Sequence, residues 1–476
     1  MEEKKTLRFH GGGWMSFLPF GVFIVIAIYI SVLNAPDIRG MWIGALLGIM
    51  TTYFFATDKQ TYCDTVIEGM ADPIAVTPIA CWIFAGVFAS VLRASGLVEG
   101  IIWIAYNIGA SGRIFVAITF IASALFATAA GTGFGTIVAG MSVLYPAGVL
   151  LGANPVVMAG AIVGGGAFGD NLAPLSDTTI CSAATQGADV GGVVKSRLKY
   201  SLVAGAATLV AIMLFGGGGA AAQDIPYELV SQYMNPKGLL MLIPAAITIT
   251  LAIKGHHIIA ATTIGTITAA IFGCGLGMIS PSDLLFIEGD TVQGLLVDGI
   301  GGMVDICILA LLVLACVRIM QKGGGDKALI GITEKFVHTA RGVEMSIGAL
   351  ALAMSGIMGL NAPPILAIGT SFAKPLGEKY KISPYRRANL LDATACTLVY
   401  SLPWTPALLL TKNLSAQASE QFGSLVPALT TTQMSPWIIY CWALLVVMLF
   451  AMISGWGRMY VNSKGEEVKT LAEAEA

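Results

Sequence analysis

Residues 164–187 read GGGAFGDNLAPLSDTTICSAATQG. Long apolar runs flank this stretch, yet it holds two aspartates, an asparagine, two serines, three threonines and a proline. Hydrocarbon does not solvate such groups, so each must find a partner, line water or bind something. Pro174 has no N–H and its ring clashes with the carbonyl four residues back, at Asp170. A helix entering here breaks, and the Asp170 carbonyl loses its helical partner. Carbonyl, carboxylate, hydroxyl and amide oxygens are the ligands a hard cation such as Na+ takes. Asp170, Asn171, Ser176, Asp177, Thr178 and Thr179 supply the side chains. A helix restarting after the break also presents its positive N-terminal end. Ser176 or Asp177 alone could serve as a cap for that restart, but a cap does not need two carboxylates and this many hydroxyl and amide groups.

The chain around it is a membrane protein. Of 476 residues, 56% are hydrophobic and 11% charged, against about 25% charged in a soluble protein. Mean hydropathy is +0.80. Continuous apolar runs, and not the ~10-residue alternating segments of a barrel, predict an all-α polytopic fold. The run 17–33 is long for a signal-peptide core and lacks a small-x-small cleavage site, so it reads as the first span. Lys4, Lys5 and Arg8 before it predict a cytoplasmic N-terminus. Further spans are predicted near 40–55, 74–92, 114–130, 137–151, 200–215, 239–253, 258–272, 303–320, 344–360, 389–410 and 436–453. Polar loops are predicted at 57–73 and 195–199 (KSRLK), and the charged tail NSKGEEVKTLAEAEA as a mobile cytoplasmic extension. The eight cysteines show no CxxC or Cys/His metal spacing and read as small apolar packers. A net charge of −2 carries no signal for nucleic acid, and the partners expected are the bilayer and a small ion or organic solute.

The stretch has a counterpart. An offset of 229 carries Pro155 to Pro384 and Pro174 to Pro403. The same offset sets GTGFGT (131–136) against the neighbourhood of GLNAPP. The turn YPAGVLLGANP has no lysine or arginine, whereas KPLGEKYKISPYRR has five. Conversely, KSRLK faces an uncharged stretch. Positive charge marks the cytoplasmic side, so the repeat is predicted to be inverted: 1–215 and 237–460 as two halves, a seam at 216–236, and a tail at 461–476. Paired interrupted helices in inverted halves point to a secondary transporter with its site near the midplane.

In the second copy Asp392, Thr394, Thr397, Ser401 and Thr405 flank the break at Pro403 and Pro406. Asp392 is the only acid of that span, and a carboxylate at such depth can trade a proton for a cation. Thr132, Thr136 and Asn361 sit at the two facing breaks and offer hydroxyl and amide ligands; GTGFGT reads either as the tip of a re-entrant hairpin at the site or as a point of close helix packing. A passive channel fits the discontinuous segments less well. A membrane enzyme lacks any nucleophile–base pair, metal-ligand spacing or nucleotide loop.

GDNLAPLSDTT (169–179) resembles the GDK-x-SPLSDTT signature of the NhaC-type Na+/H+ antiporter family, within the ion transporter superfamily, and RRANLLDATACTLVYSLPW resembles that family's acid-containing segment ending in PW. The resemblance covers most of the chain in the same order. It implies Na+/H+ antiport by alternating access in a bacterial cytoplasmic membrane, with Na+ and H+ as coupling ions, or in some members Na+-coupled exchange of small organic acids or amino acids. It also implies a homodimer. Carried over by position, Asp170, Ser176, Asp177, Thr178, Thr179 and Asp392 match. Four positions depart: Asn171 for a lysine, Ala173 for a serine, Leu391 for one acid of a pair, and Thr405 for an asparagine. The departures leave room for an organic substrate.

Overall fold

The computed structural model describes residues 7–32, 38–107, 112–217, 235–254 and 256–475. Most of the predicted seam, 216–236, lies outside them. Seven helices among the described residues are long and apolar enough to cross a membrane, or eight if the bent pair Thr431–Trp437 and Ile439–Ser454 is one span. Many of their large apolar side chains point outward, Leu214, Ile271 and Val446 among them, as lipid-facing surfaces do.

The two breaks fall where proline chemistry places them. The first interrupted helix runs Pro155–Leu172 and resumes as Asp177–Gln186; the second runs Pro384–Ser401 and resumes as Pro406–Phe422. Both first pieces are 18 residues long and begin on proline, whose missing N–H costs nothing in a first turn. The last helical bonds also correspond. Ala173 N–H reaches the Gly169 carbonyl at 2.7 Å, and Leu402 N–H reaches the Leu398 carbonyl at 3.0 Å. Each break then closes with a matching turn, Ser176 to Ala173 and Thr405 to Leu402, both at 3.2 Å.

Each interrupted helix is preceded by a helical hairpin. The first consists of Gly112–Ala130 and a return arm built of Gly133–Ala139, a π-helical turn at Gly140–Leu144, and Tyr145–Leu150. The second consists of Ala340–Met358 and the arm Ala362–Ile368, Gly369–Ala373 and Lys374–Lys379, with the π-helical turn at the same place. The tips turn on Gly131 (φ 70°) and Gly359 (φ 66°), left-handed conformations that only glycine adopts without cost. The halves interlock reciprocally: Asp177–Gln186 packs on Ala362–Ile368, and Pro406–Phe422 packs on Gly133–Ala139. Such exchange of partners is what a two-fold relation between copies produces. Lysines gather at the base of the second hairpin and not the first, so the copies are inverted. The helices Pro73–Ala94 and Leu295–Lys322 pack on one another and form a scaffold beside the crossed breaks.

Three local readings are corrected. Residues 57–73 are not a loop: Asp58 accepts the N–H groups of Gln60 and Thr61 at 3.0 and 3.3 Å and starts the helix Lys59–Met70. That helix buries Thr61, Tyr62 and Thr65 and packs on Leu295–Lys322. The basic cluster 195–199 lies inside the helix Val190–Phe215, capped by Asp189, and its Arg197 is buried. The tail is ordered. Strands Tyr460–Val461 and Glu467–Val468 pair, and Tyr460 bridges to Ile382.

Candidate functional site at the crossed breaks

Four helix starts meet around one cavity of about 390 Å³: its wall includes Thr132 and Gly133, Asp177, Asn361 and Pro363, and Pro406. Asp170 and Tyr400 complete the polar lining, and Trp82, Gly86, Met303 and Asp305 close it from the scaffold side. The cavity therefore lies between the bundle of crossed breaks and the scaffold. The indole N–H of Trp82 is buried with no acceptor among the described residues.

Asp170 ends the first helical piece and is held by neutral donors alone. Ser176 Oγ donates to Oδ1 at 2.8 Å, Tyr400 donates to Oδ2 at 2.9 Å, and Asn361 Nδ2 lies 3.4 Å from Oδ2. Ser176 occupies the cap position of Asp177–Gln186 but makes no side-chain cap bond. Its proton is spent on Asp170, so capping does not account for it. Thr178 Oγ1 lies 3.0 Å from Ser176 Oγ. Because the Ser176 proton is committed, Thr178 is the donor of that bond.

Asp177 differs. Its Oδ1 accepts the Thr178 N–H at 2.8 Å, with Ser176 Oγ only at 3.5 Å. Its carboxylate lines the cavity beside Asp170, and among the described residues no lysine, arginine or histidine side chain is part of that wall. Asp305, also in the wall, is partnered by Arg39 at 3.1 Å.

Asp392 sits elsewhere. Arg197 Nη1 is 2.5 Å from its Oδ2, with both side chains fully buried. Thr179 and Ser182 lie 3.4 and 3.3 Å from the same oxygen, and Cys396 lies 3.2 Å from Oδ1. Arg197 also donates to the Asn171 carbonyl at 2.7 Å, to Thr179 Oγ1 at 3.0 Å and to Asn389 Oδ1 at 3.0 Å. A carbonyl of the last turn before the first break is thus taken by a guanidinium. The fork ties both interrupted helices together.

Thr132 and Asn361 cap the two hairpin arms, accepting Gly135 N–H at 3.3 Å and Ala362 N–H at 3.1 Å. Thr136 donates to the Thr132 carbonyl at 2.8 Å. Asn171 donates to Tyr440 at 3.3 Å, and its Oδ1 has no partner among the described residues. The remaining hydroxyls of the second copy turn back on their own chain: Thr394 on Leu390, Thr397 on the Thr394 carbonyl at 2.7 Å, Ser401 on Thr397 at 3.0 Å and Thr405 on Leu402 at 2.8 Å. None of these four lines the cavity. The site therefore gathers Asp170, Asp177, Thr132 and Asn361, with Ser176 and Thr178 behind them, and sets Thr179 and Asp392 apart around Arg197.

Sequence reasoning missed Tyr400, Arg197, Trp82 and Asp305. A signal existed for the first two. Asp392, Cys396 and Tyr400 recur at four-residue spacing and share a helix face. Val193, Arg197, Tyr200, Ala204 and Thr208 likewise mark the buried face of Val190–Phe215.

Two crossed, proline-broken helices, two hairpins and a polar cavity against a scaffold are the features of a secondary transporter. The chain belongs to the Na+/H+ antiporter family, whose model matches residues 10–217 and 228–417. It is 27% identical over 350 residues to the malate-2H+/Na+-lactate antiporter of Bacillus subtilis, spanning 68% of this chain and 72% of that protein. It is 24% identical over 277 residues to the Na+/H+ antiporter NhaC of Alkalihalophilus pseudofirmus, spanning 57% and 58%. The fold resembles the crystal structure of the YdaH transporter of Alcanivorax borkumensis, described as having an unusual topology. That likeness has a TM-score of 0.58 at 13% identity and covers 84% of this chain and 90% of that one.

Proposed function

We propose that this protein exchanges Na+ for H+ across a bacterial cytoplasmic membrane, with Asp177 as the group that holds Na+ and proton in turn. One observation carries the reading. Asp177 and Asp170 share a cavity wall that contains no basic side chain among the described residues, and Asp170 is held by three neutral donors. Two carboxylates without a counter-charge form a cation site, since a buried charge needs a partner. Thr132 and Asn361 offer further oxygens.

When Na+ leaves, a proton takes its place on Asp177, and the carboxyl stays neutral while the site changes sides. Asp392 faces Arg197 and not the cavity. Its role in this proposal is to lock the two crossed helices into one body. That body carries the site and moves against the scaffold helices Pro73–Ala94 and Leu295–Lys322, with the cavity at the moving interface. The division into halves 1–215 and 237–460 belongs to the same proposal, supported by the matched breaks and hairpins.

A second reading rests on the size of the cavity. About 390 Å³ is far more than a bare Na+ needs, and Trp82, Phe134, Met303 and Leu360 give it apolar walls. Na+-coupled exchange of a small organic acid or amino acid fits that space, and the Bacillus subtilis relative carries malate and lactate in its name.

The test is transport in proteoliposomes with an internal pH dye. Na+ added outside should move protons in the wild type and should not in Asp177→Asn. Undiminished, saturable Na+-driven proton flux in that variant would refute the assignment.

A further inference from the structure

The cavity at the crossed breaks holds about 390 Å³, and the charge and chemistry of its wall narrow the organic solutes that fit it. Asp170 and Asp177 face it, with no lysine, arginine or histidine in the wall among the described residues. Asp305 is a third wall carboxylate, but it is paired with Arg39 at 3.1 Å and does not enter the count. With both open carboxylates ionised, one Na+ leaves the pair with a net negative charge. A solute that brings its own carboxylate adds to that charge in a site removed from bulk water, whereas a cationic solute completes it. The apolar part of the wall points the same way. Phe134 and Tyr400 both line the cavity, their ring centroids 5.7 Å apart, and Trp82 adds a third ring from the scaffold. Gly133 lets Tyr400 approach the hairpin tip, since a Cβ there would collide with the phenol oxygen. Aromatic faces are negative and attract organic cations. Gly302 keeps the scaffold side of the rim open: a Cβ there meets no atom within 4 Å among the described residues.

We propose that the cavity carries an organic cation, a guanidinium or ammonium group on a short apolar chain, in exchange for Na+ or H+. The cationic head takes the place of Na+ at Asp177, its N–H groups donating to the carboxylate. The chain lies against the rings of Phe134 and Tyr400 and crosses the space that Gly302 leaves free. When the head leaves, a proton takes its place on Asp177, as it does when Na+ leaves. That solute class presupposes Asp177 as the group that holds cation and proton in turn. The same wall disfavours a solute whose only charge is negative.

The full-length protein is tested in proteoliposomes with an internal pH dye, using n-butylguanidinium and 1-butanesulfonate. Both stay charged throughout the assay, so neither carries protons through lipid by itself. Butylguanidinium added outside should move protons saturably and should compete with Na+. Butanesulfonate should do neither. Asp177→Asn should lose the response to both cations. Gly302→Leu narrows the rim, and Phe134→Leu removes a ring while keeping an apolar side chain. In each, the ratio of half-saturating butylguanidinium to half-saturating Na+ should rise at least about ten-fold over wild type, and the second variant decides if the first does not fold. Proton flux that answers to Na+ but not to butylguanidinium, or that butanesulfonate slows instead, would overturn the proposal and leave Na+/H+ exchange standing. An unchanged ratio in folded Gly302→Leu and Phe134→Leu would overturn it as well. Flux driven by butylguanidinium with no response to Na+ would support the organic cation and overturn Na+/H+ exchange alone.

Discussion

At residues 173–176 and 402–405 the chain leaves a helix after the same number of residues, past the same proline, through the same turn. The side chains hung on those two templates do opposite things. The first break puts Asp170 and Asp177 against a cavity with no basic wall residue among the described residues. The second places Pro406 where the first has Asp177, and Tyr400 where the first has Asn171, and its one acid is buried against Arg197. The backbone discontinuity occurs twice. Only the first break presents open carboxylates, while the second supplies a hydroxyl to steady Asp170 and an acid whose salt bridge to Arg197 ties the two broken helices together. Chemistry at the first break and mechanics at the second is the division the geometry supports.

Substitutions can break that comparison in order of expected size. Asp177→Asn removes the open carboxylate and should lower Na+-driven proton flux by at least about 100-fold while the protein still purifies as a folded species, read by pH-dye flux and size-exclusion chromatography. Arg197→Ala acts on the other break. It leaves Asp392 buried and unpaired, a change worth about 3–5 kcal/mol, and should appear as a large fall in Tm in detergent. Adding Asp392→Asn to it should recover part of the loss, because the uncompensated charge is gone. A single Asp392→Asn that lost transport at unchanged Tm would contradict the mechanical role.

Tyr400→Phe sharpens the comparison at the contact between the copies. It deletes the 2.9 Å bond to Asp170, and a hydrogen bond to a charged group is worth about 1.5–3 kcal/mol. Exchange should slow about ten-fold or more, with little change in Tm. Thr394→Val should do least. Its hydroxyl is satisfied by its own helix at Leu390, so flux should stay within about two-fold of wild type, as expected when no donor is withdrawn from a site.

These outcomes also explain what could be read in the chain. Pro155, Pro174, Pro384 and Pro403 announced the breaks because proline acts on the backbone of its own segment, whatever surrounds it. Gly131 and Gly359 marked the hairpin tips for the same local reason. Partner choice was not legible. Arg197 reaches Asp392 across almost 200 positions of sequence, and its neighbours Lys195 and Lys199 made it look like part of a solvated cluster. The threonines of the second copy were counted as ligands by residue type, yet a hydroxyl in a helix can spend its donor on a carbonyl three or four residues back. The ordered tail was hidden likewise: NSKGEEVKTLAEAEA is polar by composition, and its docking depends on the bond of Val461, just before it, to the Lys381 carbonyl and on the Lys381 and Ser383 side chains that reach Ala474 and Glu467.

The division of labour between the two breaks is tested most directly by Na+ binding to the purified protein at equilibrium, measured calorimetrically for the wild type, Asp177→Asn and Asp392→Asn. The account predicts saturable binding in the wild type, none in Asp177→Asn, and retained binding in whatever fraction of Asp392→Asn is folded. Wild-type Na+ affinity in Asp177→Asn, or its loss from folded Asp392→Asn alone, would contradict it.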